Sequence, residues 1–157
     1  MKTLIVYASK YGCTKDCANY LKAKLPDGAE LADINGSMQI ELNEFETVII
    51  GGPVYAGKVP KKLRVFCQEN LDTLTKKRVG IFLCCTLFQQ ADEFFAGSFP
   101  GQLLDRAVTK KVFGSEARLE KMAFFDKAIM KIFTKGDYSR FKVSTESMDE
   151  FVREITV

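Results

Sequence analysis

Short apolar runs rich in β-branched residues recur along the chain, and amphipathic segments fill the intervals between them. Thr3-Leu4-Ile5-Val6-Tyr7-Ala8 is the first run. Thr47-Val48-Ile49-Ile50-Gly51 is the third, apolar on both faces and therefore central. Arg78-Val79-Gly80-Ile81-Phe82-Leu83-Cys84-Cys85 is the fourth. Glu30-Leu31-Ala32-Asp33-Ile34 is more polar and reads as an edge strand. A weak fifth strand is expected around Val108, Val112 and Phe113, interrupted by Lys110-Lys111. Helices are predicted over 14–25, 61–71, 91–106 with a break near 97–101, 118–133 and 147–155. This alternation is the mark of βαβ units and a parallel sheet, so the fold class is α/β. At 157 residues, one domain spanning 1–157 is expected.

The first strand runs into Ser9-Lys10-Tyr11-Gly12-Cys13-Thr14, directly before a helical pattern. A helix start leaves backbone N–H groups without partners and carries partial positive charge. Ser9 and Thr14 add hydroxyls, and Gly12 allows close approach or positive φ. One reading is a loop wrapped around a terminal phosphate; the other is an ordinary turn in which Ser or Thr caps the helix. The turn is not a P-loop, because no Gly-Lys-Ser/Thr closes it, and the G-x-G-x-x-G spacing is also missing. Two further loops follow strands: Gly52-Pro53-Val54-Tyr55-Ala56-Gly57-Lys58-Val59-Pro60 and Thr86-Leu87-Phe88-Gln89-Gln90. If strands one, three and four are neighbours, all three loops line one crevice at the carboxyl ends of the strands. Phosphate donors at one end and Tyr55 with a Thr86, Leu87 and Phe88 wall at the other outline a mononucleotide. Loop packing is the alternative for both aromatics.

The chain contains no histidine, so zinc sites and Cys–His nucleophile pairs built on imidazole are excluded. Its five cysteines, Cys13, Cys17, Cys67, Cys84 and Cys85, have no zinc-type spacing, and no metal site is expected. Unbridged thiols in a reducing compartment fit best. Cys13 sits at a helix start, where a thiol can be acidified, or is simply a small residue that fits. Net charge is +3, and the excess lies late: residues 110–140 carry 8 basic and 4 acidic side chains. The basic ones are Lys110, Lys111, Arg118, Lys121, Lys127, Lys131, Lys135 and Arg140. With Phe124 and Met130 off the main apolar stripe, this segment suits an anionic membrane surface or an acidic partner, or is a solvated helix face. No run approaches a membrane span and the start has no secretory pattern. The expected location is the cytoplasm, with peripheral contact at the inner face of the membrane as a further option. No nucleic-acid partner is expected.

The first loop resembles that of flavodoxins, whose pattern is Ser/Thr, any, Thr, Gly, any, Thr around the phosphate of FMN. Tyr11 stands where the pattern has Thr, which removes one hydroxyl donor. The resemblance implies a flavodoxin-like three-layer sandwich, with a five-stranded parallel sheet of order 2-1-3-4-5 and helices on both faces. FMN at a switch point is the established example for this order, so the placement is taken over from the fold. It implies FMN as cofactor, held at the phosphate by Ser9, Lys10, Tyr11, Gly12, Cys13 and Thr14. Pro53, Val54, Tyr55, Ala56 and Gly57 would meet the ring, with Thr86, Leu87 and Phe88 beyond it. A peptide flip in the Gly-containing second loop would then favour one reduction state.

A closer likeness is to the branch that includes menaquinone-dependent protoporphyrinogen oxidase. It is carried by Met1-Lys2-Thr3-Leu4-Ile5-Val6-Tyr7, Val48-Ile49-Ile50-Gly51, Tyr55-Ala56-Gly57-Lys58 and two late segments, Phe125-Asp126-Lys127-Ala128-Ile129-Met130-Lys131-Ile132 and Phe151-Val152-Arg153-Glu154-Ile155. Electron transfer or a flavin-dependent oxidoreductase activity is implied, with a redox protein or a quinone as partner. The alternative is a soluble carrier with a protein partner and no small-molecule substrate. Phe88-Gln89-Gln90-Ala91-Asp92-Glu93 is shorter and less basic than the matching segment of that oxidase. No side chain reads as an acid–base catalyst. A response-regulator-like domain would need an acidic cluster after the first strand and an Asp after the third, and neither is present.

Overall fold

A computed structural model of the chain describes residues 1–37, 39–115 and 142–157. The basic helical pattern over 118–133, with Phe124 and Met130, lies outside these described residues. Five strands form one parallel sheet in the order β2-β1-β3-β4-β5. They are β1 (Thr3–Tyr7), β2 (Glu30–Asp33), β3 (Thr47–Pro53), β4 (Arg78–Cys84) and β5 (Thr109–Val112). The polar β2 is an edge, and β3 is central, as their sequences dictate. The switch in strand order falls between β1 and β3, where Tyr7 pairs with Gly51.

Alternation along the strands builds two cores. Leu4, Val6, Val48, Ile50, Ile81 and Leu83 face one layer, packed on α2 (Lys61–Glu69), α3 (Leu71–Leu74), α4 (Ala91–Ser98) and α5 (Gly101–Arg106). Ile5, Tyr7, Ile49 and Phe82 face the other, packed on α1 (Cys13–Lys24) and the last helix, Thr145–Thr156. Phe82 lies flat against Phe113, centroids 4.7 Å apart, and Phe151 meets Phe113 edge-on at 5.5 Å. Gly51 makes room for this: a Cβ there would sit 2.0 Å from the Phe82 ring.

Several boundaries differ from the sequence expectation by a residue or two, and at two helix ends the local reason is visible. The helix expected over 61–71 ends at Glu69, where Asn70 turns its side-chain amide back onto the Phe66 carbonyl at 2.9 Å. The last helix starts earlier, at Thr145, because the Ser144 hydroxyl accepts the Ser147 N–H at 3.1 Å. Val108 and Phe113 flank the fifth strand and do not belong to it, whereas Lys110 and Lys111 do; Val108 is exposed. Lys111 is not part of an open basic surface either. Its ammonium lies 3.2 Å from both Glu150 and Glu154 of the last helix.

Candidate functional site

At the carboxyl end of β1 the backbone turns through Gly12, whose φ of 96° is closed to most L-residues. Gly12 occupies the cap position of α1 but has no side chain to satisfy the helix start. Ser9 does this from upstream: its hydroxyl accepts the Gly12 N–H at 3.1 Å and the Lys15 N–H at 3.4 Å. The capping reading of the turn therefore holds, through Ser9, which curls the loop around the positive end of the helix. Thr14 is buried beneath the turn and does not line the crevice in front of it. Cys13 and Gly12 are half-buried.

The loop after β3 is tighter than its length suggested. Tyr55 and Lys58 exchange backbone hydrogen bonds of 2.9 and 3.1 Å across Ala56 and Gly57. Positive φ at both central residues, 50° and 80°, is the sign pattern of a type I′ hairpin. The Lys10 ammonium lies 5.2 Å from the Tyr11 ring centroid and 5.4 Å from that of Tyr55, joining the first loop to the second. Tyr11 thus supplies a ring where the flavodoxin pattern has a hydroxyl.

Between these loops is a crevice of about 610 Å³. Of the residues expected at the site, Ser9, Lys10, Tyr55 and Ala56 line it; Tyr11, Gly12, Cys13, Pro53, Val54 and Gly57 do not. Lys58, Lys61 and Arg64 line it as well, together with Asn35 from the end of β2. The Arg64 guanidinium is steadied by donating to the Val59 carbonyl at 3.0 Å. The sequence reading placed Lys58 in the second loop but missed Asn35, Lys61 and Arg64, although Lys61-Lys62 directly follows that loop. The lining among the described residues carries four cations and no carboxylate.

Thr86, Leu87 and Phe88 do not line this crevice. They follow β4, which lies beside β3 in the sheet, with Leu87 and Phe88 exposed. Six large apolar side chains are exposed among the described residues. Three of them, Tyr55, Leu87 and Phe88, occupy the loops after β3 and β4. Met1 and Val157 are chain ends and Val108 precedes β5. Exposed apolar groups are thus concentrated at the carboxyl end of the central strands, where the fold places its ligands.

The flavodoxin domain family model matches residues 4–144 of this sequence. The chain belongs to the flavodoxin domain family. Solved structures agree on the fold. A short-chain flavodoxin associated with a non-canonical PDU bacterial microcompartment is 15% identical, with a TM-score of 0.60, covering 99% of this chain and 97% of that one. Oxidised flavodoxin 1 from Bacillus cereus is 13% identical, with a TM-score of 0.56 over 99% and 95% of the two chains. A point mutant of Fusobacterium nucleatum flavodoxin, bound to flavin mononucleotide, is 14% identical, with a TM-score of 0.53 over 99% and 95%. No curated protein sequence matches the chain. In this flavodoxin domain no helix among the described residues is long and apolar enough to cross a membrane.

Proposed function

We propose that the chain works as one flavodoxin-like domain over residues 1–157, binding FMN and passing electrons to a redox partner. The observation that carries this reading is convergence at the switch point. The helix-capping Ser9 turn, the Tyr55 hairpin and the exposed Leu87 and Phe88 stand on three neighbouring strands of a flavodoxin domain. The groups present fit the cofactor. The turn at the start of α1 suits a phosphate, and the apolar side chains left exposed beside it suit a flat ring.

When bound, FMN supplies reversible one- and two-electron transfer. The chain's own residues do the rest. Ser9, Gly12 and the first turn of α1 hold the phosphate, with Lys10 contributing charge. Tyr11, Cys13 and Thr14 shape the turn from behind. Tyr55 covers one side of the ring, and Thr86, Leu87 and Phe88 exclude water from the other. Pro53, Val54, Ala56 and Gly57 present backbone groups to the ring edge.

The cations at the crevice mouth, Lys58, Lys61 and Arg64, favour a partner with an acidic docking surface. Electron transfer to such a partner is expected to slow as ionic strength rises. The finer reading places the chain in the branch of menaquinone-dependent protoporphyrinogen oxidase, with a quinone as acceptor. It is supported by the sequence likeness at 1–7, 48–51 and 55–58. Peripheral attachment to an anionic membrane would rest on Lys110 and on residues 118–140, and co-sedimentation with anionic vesicles tests it.

The deciding experiment is a titration of the purified chain with FMN, followed by fluorescence quenching and by the shift of the flavin bands. One-to-one quenching in the micromolar range or tighter is expected, and its absence sinks the proposal. Turnover of quinones or protoporphyrinogen by the loaded protein then separates an oxidoreductase from a carrier.

A further inference from the structure

Behind the first loop, three cysteines from two elements meet. Cys13 is the first residue of α1, and Cys17 stands one turn later on the same face. Cys84 is the last residue of β4. Their sulfur atoms all lie within 4.8 Å of one another, and the Cys17 and Cys84 sulfurs are 3.8 Å apart. Cys17 and Cys84 are buried, while Cys13 is half-buried and, among the described residues, leaves the cluster partly open on its side. The thiol of Cys84 is held well above its ordinary pKa, first by hydrogen bonding with Cys13, then with Cys17, and by burial. The other two cysteines are an internal contrast. Cys67 and Cys85 sit in the opposite core layer, and burial alone pushes Cys67 up to about 12.

We propose that Cys13, Cys17 and Cys84 form a three-thiolate binding site for a soft d10 metal ion of the Zn(II), Cd(II) or Cu(I) class. Metal–sulfur bonds of about 2.3 Å place the sulfurs of a trigonal or tetrahedral centre roughly 3.8–4.0 Å apart. The Cys17–Cys84 separation already has this value, and Cys13 needs only a small side-chain adjustment from its half-buried position. An all-sulfur set selects soft ions over magnesium or calcium. The site also opens at the positive end of α1, which favours the negative charge that three thiolates bring to a divalent ion. Binding is not a redox step: three S–H bonds break, three metal–sulfur bonds form, and about three protons pass to solvent. Any fourth ligand of a divalent ion enters from the Cys13 side. The sequence hid this site because its third ligand lies 67 residues beyond the second in the chain.

The test is a titration of the reduced, FMN-loaded chain with Cd(II) under anaerobic conditions. Proton release and the near-ultraviolet thiolate-to-cadmium band are the readouts. One ion per chain with about three protons released is expected. Cys17→Ser and Cys84→Ser should lose this response, whereas Cys67→Ser and Cys85→Ser should keep it. A titration with no stoichiometric endpoint, or one unchanged in Cys17→Ser and Cys84→Ser, overturns the proposal. Because Cys84 is a core residue, a second readout uses the unaltered chain. Alkylation of Cys13 should be suppressed by one equivalent of Cd(II), and an unchanged rate overturns the proposal equally. Neither readout depends on flavin: repeated on chain without FMN, the same endpoint is expected, so failure of FMN binding and failure of this site are told apart.

Discussion

Two turns flank the crevice, and both force the backbone to positive φ. The first uses Gly12, at 96°, where an L-residue is strained; the second uses Ala56, at 50°, followed by Gly57. Gly12 takes its conformation without steric cost, and Ser9 then fastens the turn with two hydrogen bonds. Ala56 takes a left-handed conformation at a cost of roughly 1–2 kcal/mol, and its hairpin projects an exposed Tyr55. On the proposed reading, the first turn is organised in advance for a phosphate, whose chemistry does not change during electron transfer. The second would hold strain beside the ring, which is the part of the cofactor that does change. Rigidity and strain would then be distributed according to what each end of the ligand has to do.

If that contrast is right, the largest loss comes from Gly12→Ala. A Cβ at that φ strains the backbone by about 1–3 kcal/mol and distorts the donors of the first turn. FMN affinity is expected to fall by about two orders of magnitude, while the melting temperature of the apoprotein changes by only a few degrees. Equal affinity in the variant would show that the turn does not bind phosphate. Tyr55→Ala should come next. Loss of stacking over a flat ring is worth about 1–3 kcal/mol, so the dissociation constant should rise roughly 5- to 150-fold. Tyr55→Phe should recover most of it, because the ring and not the hydroxyl makes the contact. Ser9→Ala is expected to be milder. It deletes the acceptor of two backbone N–H groups, about 1 kcal/mol each, but leaves both donors able to reach the phosphate directly. The expected signature is a lower stability of the FMN-free chain with a smaller change when FMN is present, read by thermal melts at saturating cofactor.

The layered fold was legible because burial on both faces leaves a compositional trace. The run Val48-Ile49-Ile50 announces a central strand, and the polar Glu30 and Asp33 announce an edge. The capped turn before α1 was legible for a similar reason: hydroxyls, one glycine and a helix start are adjacent in the chain. What escaped notice depends on contacts between distant segments. Lys61 and Arg64 look like ordinary basic helix residues and become a crevice wall only because the start of α2 stands beside the Tyr55 hairpin and the first loop. Lys111 looked like part of a basic surface until the last helix brought Glu150 and Glu154 against it. Cys84 joins Cys13 and Cys17 only through the packing of α1 on the sheet. The tight hairpin at Tyr55 to Lys58 was hidden by Ala56, a residue that gives no turn signal.

That same alanine carries the smallest and most discriminating prediction. In a type I′ hairpin, flipping the Ala56–Gly57 peptide converts the turn to type II′, whose first central position strongly favours glycine. Ala56 therefore resists the flip that a glycine in its place would permit, and one orientation of the peptide is enforced. The sequence suggested a loop free to flip with the reduction state; the structure contains a loop biased against it. Ala56→Gly should relieve about 1 kcal/mol of strain, partly offset by the greater freedom of glycine in the unfolded chain, so stability should change little. The flavin potentials should respond more clearly. If the released peptide reorients on reduction, the one-electron couples should move by about 40 mV, the equivalent of 1 kcal/mol. Potentials unchanged in Ala56→Gly, with FMN bound as tightly as before, would place the hairpin out of reach of the ring edge. Tyr55 would then act by covering the ring alone.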